Sequence, residues 1–527
     1  MLSFLSRIGP MTPIALPEPP LRAALARVFS FPALLAVALA ATVYHLANRG
    51  IADPDIWWHL RNAQYLLESH HFIRADMYSF TVLGQPWMNH EWLAEIPYYL
   101  AWKAWGLQGI FLLMIFLIEA TLLGTFWLAS MVGGNVKAAF LASWVAVLLA
   151  TVSFGPRTLL FGWIFLVLLL ALLWRYKEEG KDHLWWIPLL FLVWVNCHGS
   201  WLIGMIVLAA YIAGGLFSFS EGMVSATRWS PLQLRKLWRV AGLSLAALFV
   251  NPYGYRLVFY PFDLAFRQKL NIANVEEWAS TDFHSVRGKV LIAVLLIMLL
   301  ATLWREQRWR LEWLGLFCLG LYMSVTYMRF LFLAAILFTP LLAQRLDFLP
   351  PYRRDQDKPW LNAFLIAAAL FSMGTRFPSS QTLADDIARH YPAQAIAPLQ
   401  SLVRQQPGRV LNDYLWGGYL IWNCRDVPVF IDSRVDVFEH HGIVREYMNF
   451  ANLHDPLERL DQQRIRYVFL GSQVPVTYLL KRTPTWKVLY NDDVAILFER
   501  VQPAAPAAEP GPSPASPPAA RRPVSSP

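Results

Sequence analysis

Asp53, Asp55, His59, His90, Glu91, Arg157, Asn196, His198, Asn251, Tyr253 and Arg329 are polar residues that stand at the ends of long apolar runs. Carboxylates and imidazoles can exchange protons and guanidinium groups can hold anions, so a set of this kind could perform acid–base chemistry on a charged ligand if the chain brings it together. An ionisable side chain at membrane depth costs about 2.5–3.5 kcal/mol at a helix centre, and such groups therefore face a cavity or one another. One polar cavity, open on one face of a membrane, is the expectation. Each residue also has a plainer reading. In "ADPDIWWHLRNAQYLLESHHF", residues 52–72, Asp53 or Asp55 could cap a helix that starts at Pro54. Trp57 and Trp58 could form an interfacial aromatic belt, His59 and His90 could bond to backbone, and Asn251-Pro252 could end a helix. The convergence of the set carries the inference, not any single member.

The elements that must position these residues are membrane helices. Of 527 residues, 56% are hydrophobic and 15% charged, against roughly 45–50% and about 25% in a soluble domain. A span needs about 20 mostly apolar residues. That criterion gives about eleven, near 31–48, 108–131, 136–154, 158–174, 184–196, 200–217, 236–250, 289–304, 311–326, 329–344 and 360–377. With a cytoplasmic N-terminus, the connections rich in Lys and Arg fall on one side: Arg22 and Arg27, the stretches 175–181, 228–239 and 305–310, then Arg345, Arg353, Arg354 and Lys358. The polar set falls on the other. The net charge of +9 belongs to this asymmetry, and nucleic acid is not an expected partner. Cys197, Cys318 and Cys424 lie far apart and indicate neither a disulfide framework nor a zinc cluster. The N-terminal segment leads into the first span without a cleavage pattern.

An acidic pair just after the first span is followed by "HLRNAQYLLESHHF", an amphipathic juxtamembrane helix. "ADMYSFTVLGQPWMNHEWLAEIPYYLAWKAWG" then leads into the second span. This order resembles the first periplasmic loop of the GT-C superfamily of integral-membrane glycosyltransferases, in particular the protein mannosyltransferases and the aminoarabinose transferases of lipid A, over roughly residues 30–345. Where those families show Asp-Glu or Asp-Asp, this chain has Asp53-Pro54-Asp55. The resemblance implies transfer of a sugar from a polyprenyl-phosphate-linked donor to a glycan, lipid or protein acceptor on the outer face, in a bacterial inner membrane. It implies a carboxylate base, with Asp55 first and Asp53 and Glu91 behind it. Arg157, His198 and Arg329 would meet the leaving phosphate, where negative charge grows in the transition state. Trp58, His59, His90, Asn196, Asn251 and Tyr253 would line the pocket. A divalent metal at Asp53 and Asp55, in the oligosaccharyltransferase manner, is compatible with the resemblance but not required by it.

Residues 378–502 read as a small extracytoplasmic α/β domain, with strands expected at "RVLNDYLWGGYLIW", "VPVFID", "RYVFLG", "WKVLY" and "VAILFER" and helices near 383–404 and 437–463. "NDYLWGGYLIW" followed by "PVFIDSRVD" looks like the Trp-Trp-Asp-Tyr-Gly region of oligosaccharyltransferase catalytic subunits, which helps hold an acceptor peptide. On that likeness Asp413, Tyr414, Trp416, Asp432 and Arg434 are acceptor-binding candidates. The plainer reading makes Gly417-Gly418 a turn and "IDSR" a strand end.

The expected organisation is therefore a polytopic α-helical membrane protein, GT-C-like, with about eleven transmembrane helices. Residues 1–30 form a cytoplasmic segment and 31–377 the membrane domain, with its first extracytoplasmic loop at 49–107. The α/β domain follows at 378–502, then a disordered Pro/Ala/Ser-rich tail at 503–527. A Walker loop, a Rossmann fingerprint and a His-Glu-x-x-His pattern are all missing from the sequence, which counts against a nucleotide-fuelled pump. The rival classes are a transporter or flippase, for which polar groups at mid-depth in both halves of a repeat are expected, and a catalytically silent scaffold of the same fold.

Overall fold

A computed structural model describes residues 25, 27–48, 50–305, 308–346 and 348–501. Arg22 and the tail at 503–527 lie outside the described residues. The chain divides into two compact units, one formed by the segment up to Arg74 together with Met88–Ile387, the other by Ala75–Trp87 together with the segment from Ala388 onward.

The first unit is helical, and its starts are written in the sequence. Helix α1 (Phe31–Ala47) begins with Pro32 in its first turn, and the Ser30 side chain accepts a hydrogen bond from the Ala33 amide. After α2 (Asp55–Ser69) comes α3 (Trp92–Gly133), which breaks at Trp105 and Gly106. Gly106 has φ +59°, a conformation open to glycine, and it separates a juxtamembrane stretch from the long apolar one. Asn135 caps α4 (Val136–Ala150), which is followed by α5 (Leu159–Glu178), α6 (Trp186–Cys197) and α7 (Trp201–Gly214). A reciprocal Ser230/Gln233 capping box opens α8 (Pro231–Ala247). Two short helices, α9 (Tyr255–Arg267) and α10 (Lys269–Asn274), precede α11 (Val286–Arg305), α12 (Leu311–Thr326), α13 (Leu331–Arg345) and α14 (Pro359–Thr375). Helix α13 is buried along nearly its whole length, and a helix that is apolar all round can be accommodated only inside a bundle.

Every one of the eleven expected segments is helical, but they differ in length and apolarity. Among the described residues five helices are long and apolar enough to cross a membrane, or six if the bent pair α14 and α15 (Ser380–His390) counts as one. The helices α1, α6, α7 and α12 are apolar but shorter, and α8 carries Arg235, Lys236 and Arg239 in its first half. This is an integral membrane protein by its apolar helices.

One end of the first unit gathers the basic connections. Lys177 pairs with Glu312 at 2.7 Å, Arg310 with Glu178, and Lys236 with Asp182. There β1 (Phe219–Glu221), β2 (Val224–Ala226) and β3 (Trp309–Arg310) form a small sheet. Arg157 lies just before α5 and Lys177 near its end. Twenty helical residues rise about 30 Å, the thickness of the hydrocarbon core, so this helix holds the two polar ends apart by one membrane.

The second unit is a four-stranded sheet with helices. Strands β4 (Arg409–Asn412), β5 (Ile465–Gly471), β6 (Trp486–Asn491) and β7 (Ala495–Arg500) lie in the order β4-β5-β7-β6, with β4 parallel to β5 and the other pairs antiparallel. Two expectations change here. Gly417 and Gly418 are not a turn but open the helix Gly417–Asn423, and a Cβ on Gly417 would meet the Ile431 carbonyl oxygen at 2.3 Å. "VPVFID" joins no ladder: Val429 makes one isolated bridge, to Ser79 of the inserted Ala75–Trp87 segment. Arg434 pairs with Asp432 at 2.6 Å and with Asp76 at 2.7 Å, all three side chains fully buried, under the rings of Tyr78 and Trp87.

Candidate active site

The turn Asp53-Pro54-Asp55 sets the geometry. Asp53 Oδ1 accepts the Asp55 amide at 3.0 Å, which starts α2 with an acidic residue in its first turn. One helical turn on, the Trp58 indole returns to Asp55 Oδ1 at 3.2 Å, and His59 shares that face. Trp57 and Trp58 are 3% and 5% exposed, so they pack inside the unit instead of forming a surface belt.

His59 is held between two glutamates one turn apart. Its Nδ1 lies 2.9 Å from Glu95 Oε1 and its Nε2 3.5 Å from Glu91 Oε2, while Asn62 and Asn89 also donate to Glu95. The expectation of backbone bonding at His59 is replaced by this carboxylate clamp. Burial opposes charge on His59, yet the Glu95 hydrogen bond and the charges of Glu95, Glu91 and Asp55 outweigh it and raise its pKa. His90 Nε2 and His198 Nε2 approach Glu91 Oε1 at 3.5 and 3.3 Å. Burial works to raise the Glu91 carboxyl, but His90, His198 and His59 pull it well below the usual carboxylate range. His198 Nδ1 accepts the Ser200 amide at 2.9 Å, and burial lowers the pKa of this imidazole to about 3. The neutral ring therefore carries its proton on Nε2 and presents it to Glu91.

Arg157 is engaged by two carboxylates. Its Nε lies 3.1 Å from Asp53 Oδ2, and its terminal nitrogens donate to both oxygens of Glu277 at 2.5 and 2.9 Å. Burial pushes the Asp53 carboxyl up to about 7 against the pull of Arg157. Burial acts on Glu277 in the same sense, but Arg157 overrides it and its pKa is lowered. The Arg329 guanidinium stacks on Trp278 at 4.2 Å and makes no ion pair among the described residues.

Asp53, Asp55, His59, Glu91, Arg157, Thr158, Leu159, His198 and Arg329 line one small cavity. The fold thus gathers residues spread over nearly 280 positions of sequence. His90 stands behind Glu91 with its ring against Tyr260. Trp58 lies under His59, ring centroids 3.8 Å apart. Of the expected pocket residues His59 is in the lining; Trp58 and His90 stand behind it, and Asn196, Asn251 and Tyr253 are engaged elsewhere. Asn196 bonds to the carbonyls of Leu192 and Val250 and to the Trp92 indole. Asn251 closes the turn at 248–254, and the Tyr253 hydroxyl donates to the Ile73 carbonyl. In the second unit, Asp432 and Arg434 are closed off by their own ion triad, and the Trp416 indole donates to the His390 carbonyl. Asp413 caps the turn at Tyr414–Trp416, and the Tyr414 amide donates to the Tyr447 hydroxyl.

Glu277 escapes sequence reasoning, because a glutamate in an outer loop is ordinary. The available signal was charge balance: a buried arginine at 157 calls for a carboxylate partner. The donor set does not suit a divalent ion, since both oxygens of Asp53 and both of Glu277 are engaged by hydrogen bonds. Among the described residues no three His, Cys, Asp or Glu side chains are arranged to hold a metal.

The chain shares its fold with solved structures of integral-membrane proteins at low sequence identity. Among solved structures the chain is similar to the oligosaccharyltransferase of Archaeoglobus fulgidus tethered with an acceptor peptide (TM-score 0.53, 12% identity, 89% of this chain and 74% of that one). It is also similar to the same organism's AglB in complex with an inhibitory peptide and a dolichol-phosphate (TM-score 0.50, 10% identity, 83% and 69%). ArnT from Cupriavidus metallidurans in the apo state aligns at a TM-score of 0.49, with 14% identity over 90% of this chain and 98% of that one. No protein-family model and no curated protein sequence matches the chain.

Proposed function

We propose that the protein is a membrane glycosyltransferase that moves a sugar from a polyprenyl-phosphate-linked donor to an acceptor on the outer face of a bacterial inner membrane. The observation that carries this reading is a division of labour among the three carboxylates at the cavity. Asp53 is engaged by Arg157 and the Asp55 amide, and Glu91 is ringed by three imidazoles. Asp55 lines the cavity with one oxygen held by the Trp58 indole, and among the described residues its other oxygen has no hydrogen-bond partner. It is the carboxylate able to take a proton. The acceptor hydroxyl attacks the anomeric carbon, its proton goes to Asp55, and the bond from that carbon to the phosphate oxygen breaks with both electrons leaving on the phosphate. Arg329, stacked on Trp278 and without an ion pair among the described residues, supplies the fixed positive charge for that phosphate. His198 and Arg157 line the same cavity. The dolichol-phosphate in the AglB complex supports a donor of this class.

Arg329→Gln is expected to weaken binding of a polyprenyl phosphate by about 10- to 150-fold, the equivalent of one charge-assisted hydrogen bond of about 1.5–3 kcal/mol. Titration of the purified protein with the lipid checks this, and equal affinities in the two proteins would remove Arg329 from the phosphate site. A wild-type protein that binds no such lipid would end the transferase reading.

We further propose eleven crossings, a cytoplasmic N-terminus and the cavity and second unit outside. The clustering of Lys177, Arg310 and Lys236 at one end of the bundle supports that orientation. In intact cells a cysteine placed at 440 should react with an impermeant maleimide and one at 180 should not. The reverse pattern would invert the topology.

A further inference from the structure

Asp53 and Asp55 line the cavity, Glu277 stands beside it, and Arg157 pairs with Asp53 and Glu277. Asp53, Asp55 and Glu277 come from two loops and a helix start, and a set of three oxygen-bearing carboxylates is the kind of donor set that hard divalent cations select. Such an ion must have its ligands converge at about 2.0–2.6 Å. Here the guanidinium of Arg157 lies between Asp53 and Glu277, one edge nitrogen on the first and two on the second. The paired contact with Glu277 is the fork-on-carboxylate geometry that only arginine offers. The Arg157 backbone is fixed too, its carbonyl accepting the Tyr98 hydroxyl at 3.1 Å. The cation is thus covalently part of the chain, while Arg329 lines the same cavity and makes no ion pair among the described residues.

We propose that Arg157 takes the place of a divalent metal ion at the acidic centre of this site, so that the protein holds its carboxylates in position with a resident guanidinium and binds no divalent cation there. Arg157 is on this view a positioning residue. It keeps Asp53 on the helix start that aims Asp55, and it anchors Glu277 and so the adjacent Trp278 beneath Arg329. The centre is called the reacting one on the strength of the transferase reading, but the cation question is tested without donor or acceptor, so the two can fail separately.

The test is a titration of the full-length protein in detergent with Mn2+, free Mn2+ being followed by its electron paramagnetic resonance signal, with thermal unfolding in EDTA and in Mn2+ as a second measurement. The wild-type protein is expected to bind no Mn2+ dependent on Asp53 or Glu277, and to unfold at the same temperature in both conditions. Arg157→Ala uncovers the carboxylates and is expected to gain one site per chain, with a Kd on the order of 10⁻⁴–10⁻³ M and a raised midpoint in Mn2+. Arg157→Ala/Glu277→Gln should lose that site again. A purely structural arginine would not produce this gain. One Mn2+ per wild-type chain, abolished by Asp53→Asn or Glu277→Gln, would overturn the proposal, as would a folded Arg157→Ala protein that gains no site. If Arg157→Ala does not fold, the wild-type titration decides alone.

Discussion

Asp55→Asn is expected to abolish sugar transfer, lowering the rate by about 10²–10⁴-fold, while polyprenyl phosphate binding and thermal stability stay near wild type. Asparagine keeps the size of the side chain and an oxygen for the Trp58 indole, so the first turn of α2 persists. What it cannot do is accept a proton. Asp53→Asn should behave differently, because it keeps an acceptor for the Asp55 amide and gives up a charge beside Arg157, disturbing position more than proton transfer. Rates measured with a polyprenyl-phosphate sugar in liposomes, alongside lipid binding, separate the two. Full turnover in Asp55→Asn with loss in Glu91→Gln would move the base to Glu91. Consumption of no lipid-linked sugar by the wild type would favour a transporter or a scaffold.

The second large effect concerns stability. Arg434→Met is expected to destabilise the second unit by about 3–5 kcal/mol, because it leaves the buried carboxylates of Asp76 and Asp432 with no opposing charge. Burial already pushes the Asp432 carboxyl up against the pull of Arg434. Removing the guanidinium leaves desolvation unopposed. Limited proteolysis of the full-length protein should show early cleavage within 75–87, together with a lower unfolding midpoint. A midpoint within about 0.5 kcal/mol of wild type, the range of ordinary surface changes, would contradict the triad's role.

The membrane helices were legible because burial in lipid demands long apolar runs, and those runs end where Asp53, Arg157, His198 and Arg329 stand. The cavity could be read from the same fact: polar groups at span ends have few places to go. The lengths of the helices are less legible, since α6 and α12 are short apolar helices and the sequence does not show where an apolar run stops being helical. Asn196, Asn251 and Tyr253 share residue type and span-end position with the cavity residues, but each satisfies a backbone carbonyl or a turn. Arg434 and Asp432 looked like a ligand-binding pair. Their burial depends on Asp76, which no local pattern connects to them. Glu277 was hidden for the same reason, its partner lying 120 residues away.

The Asp76–Arg434 pair spans 358 residues, which gives the second unit a birth order. A ribosome adding about 5–20 residues per second delivers the 75–87 segment tens of seconds before the arginine that completes it. Through that interval Asp76 and Trp87 lack their contacts with Arg434, and a chain stopped before residue 434 never supplies them. A gene fragment encoding 388–501 alone would lack one carboxylate of the triad and the indole over its guanidinium. Expression of this unit by itself therefore calls for grafting residues 75–87 onto it, and any quality control acting on nascent chains has a natural client in the interval between the two segments.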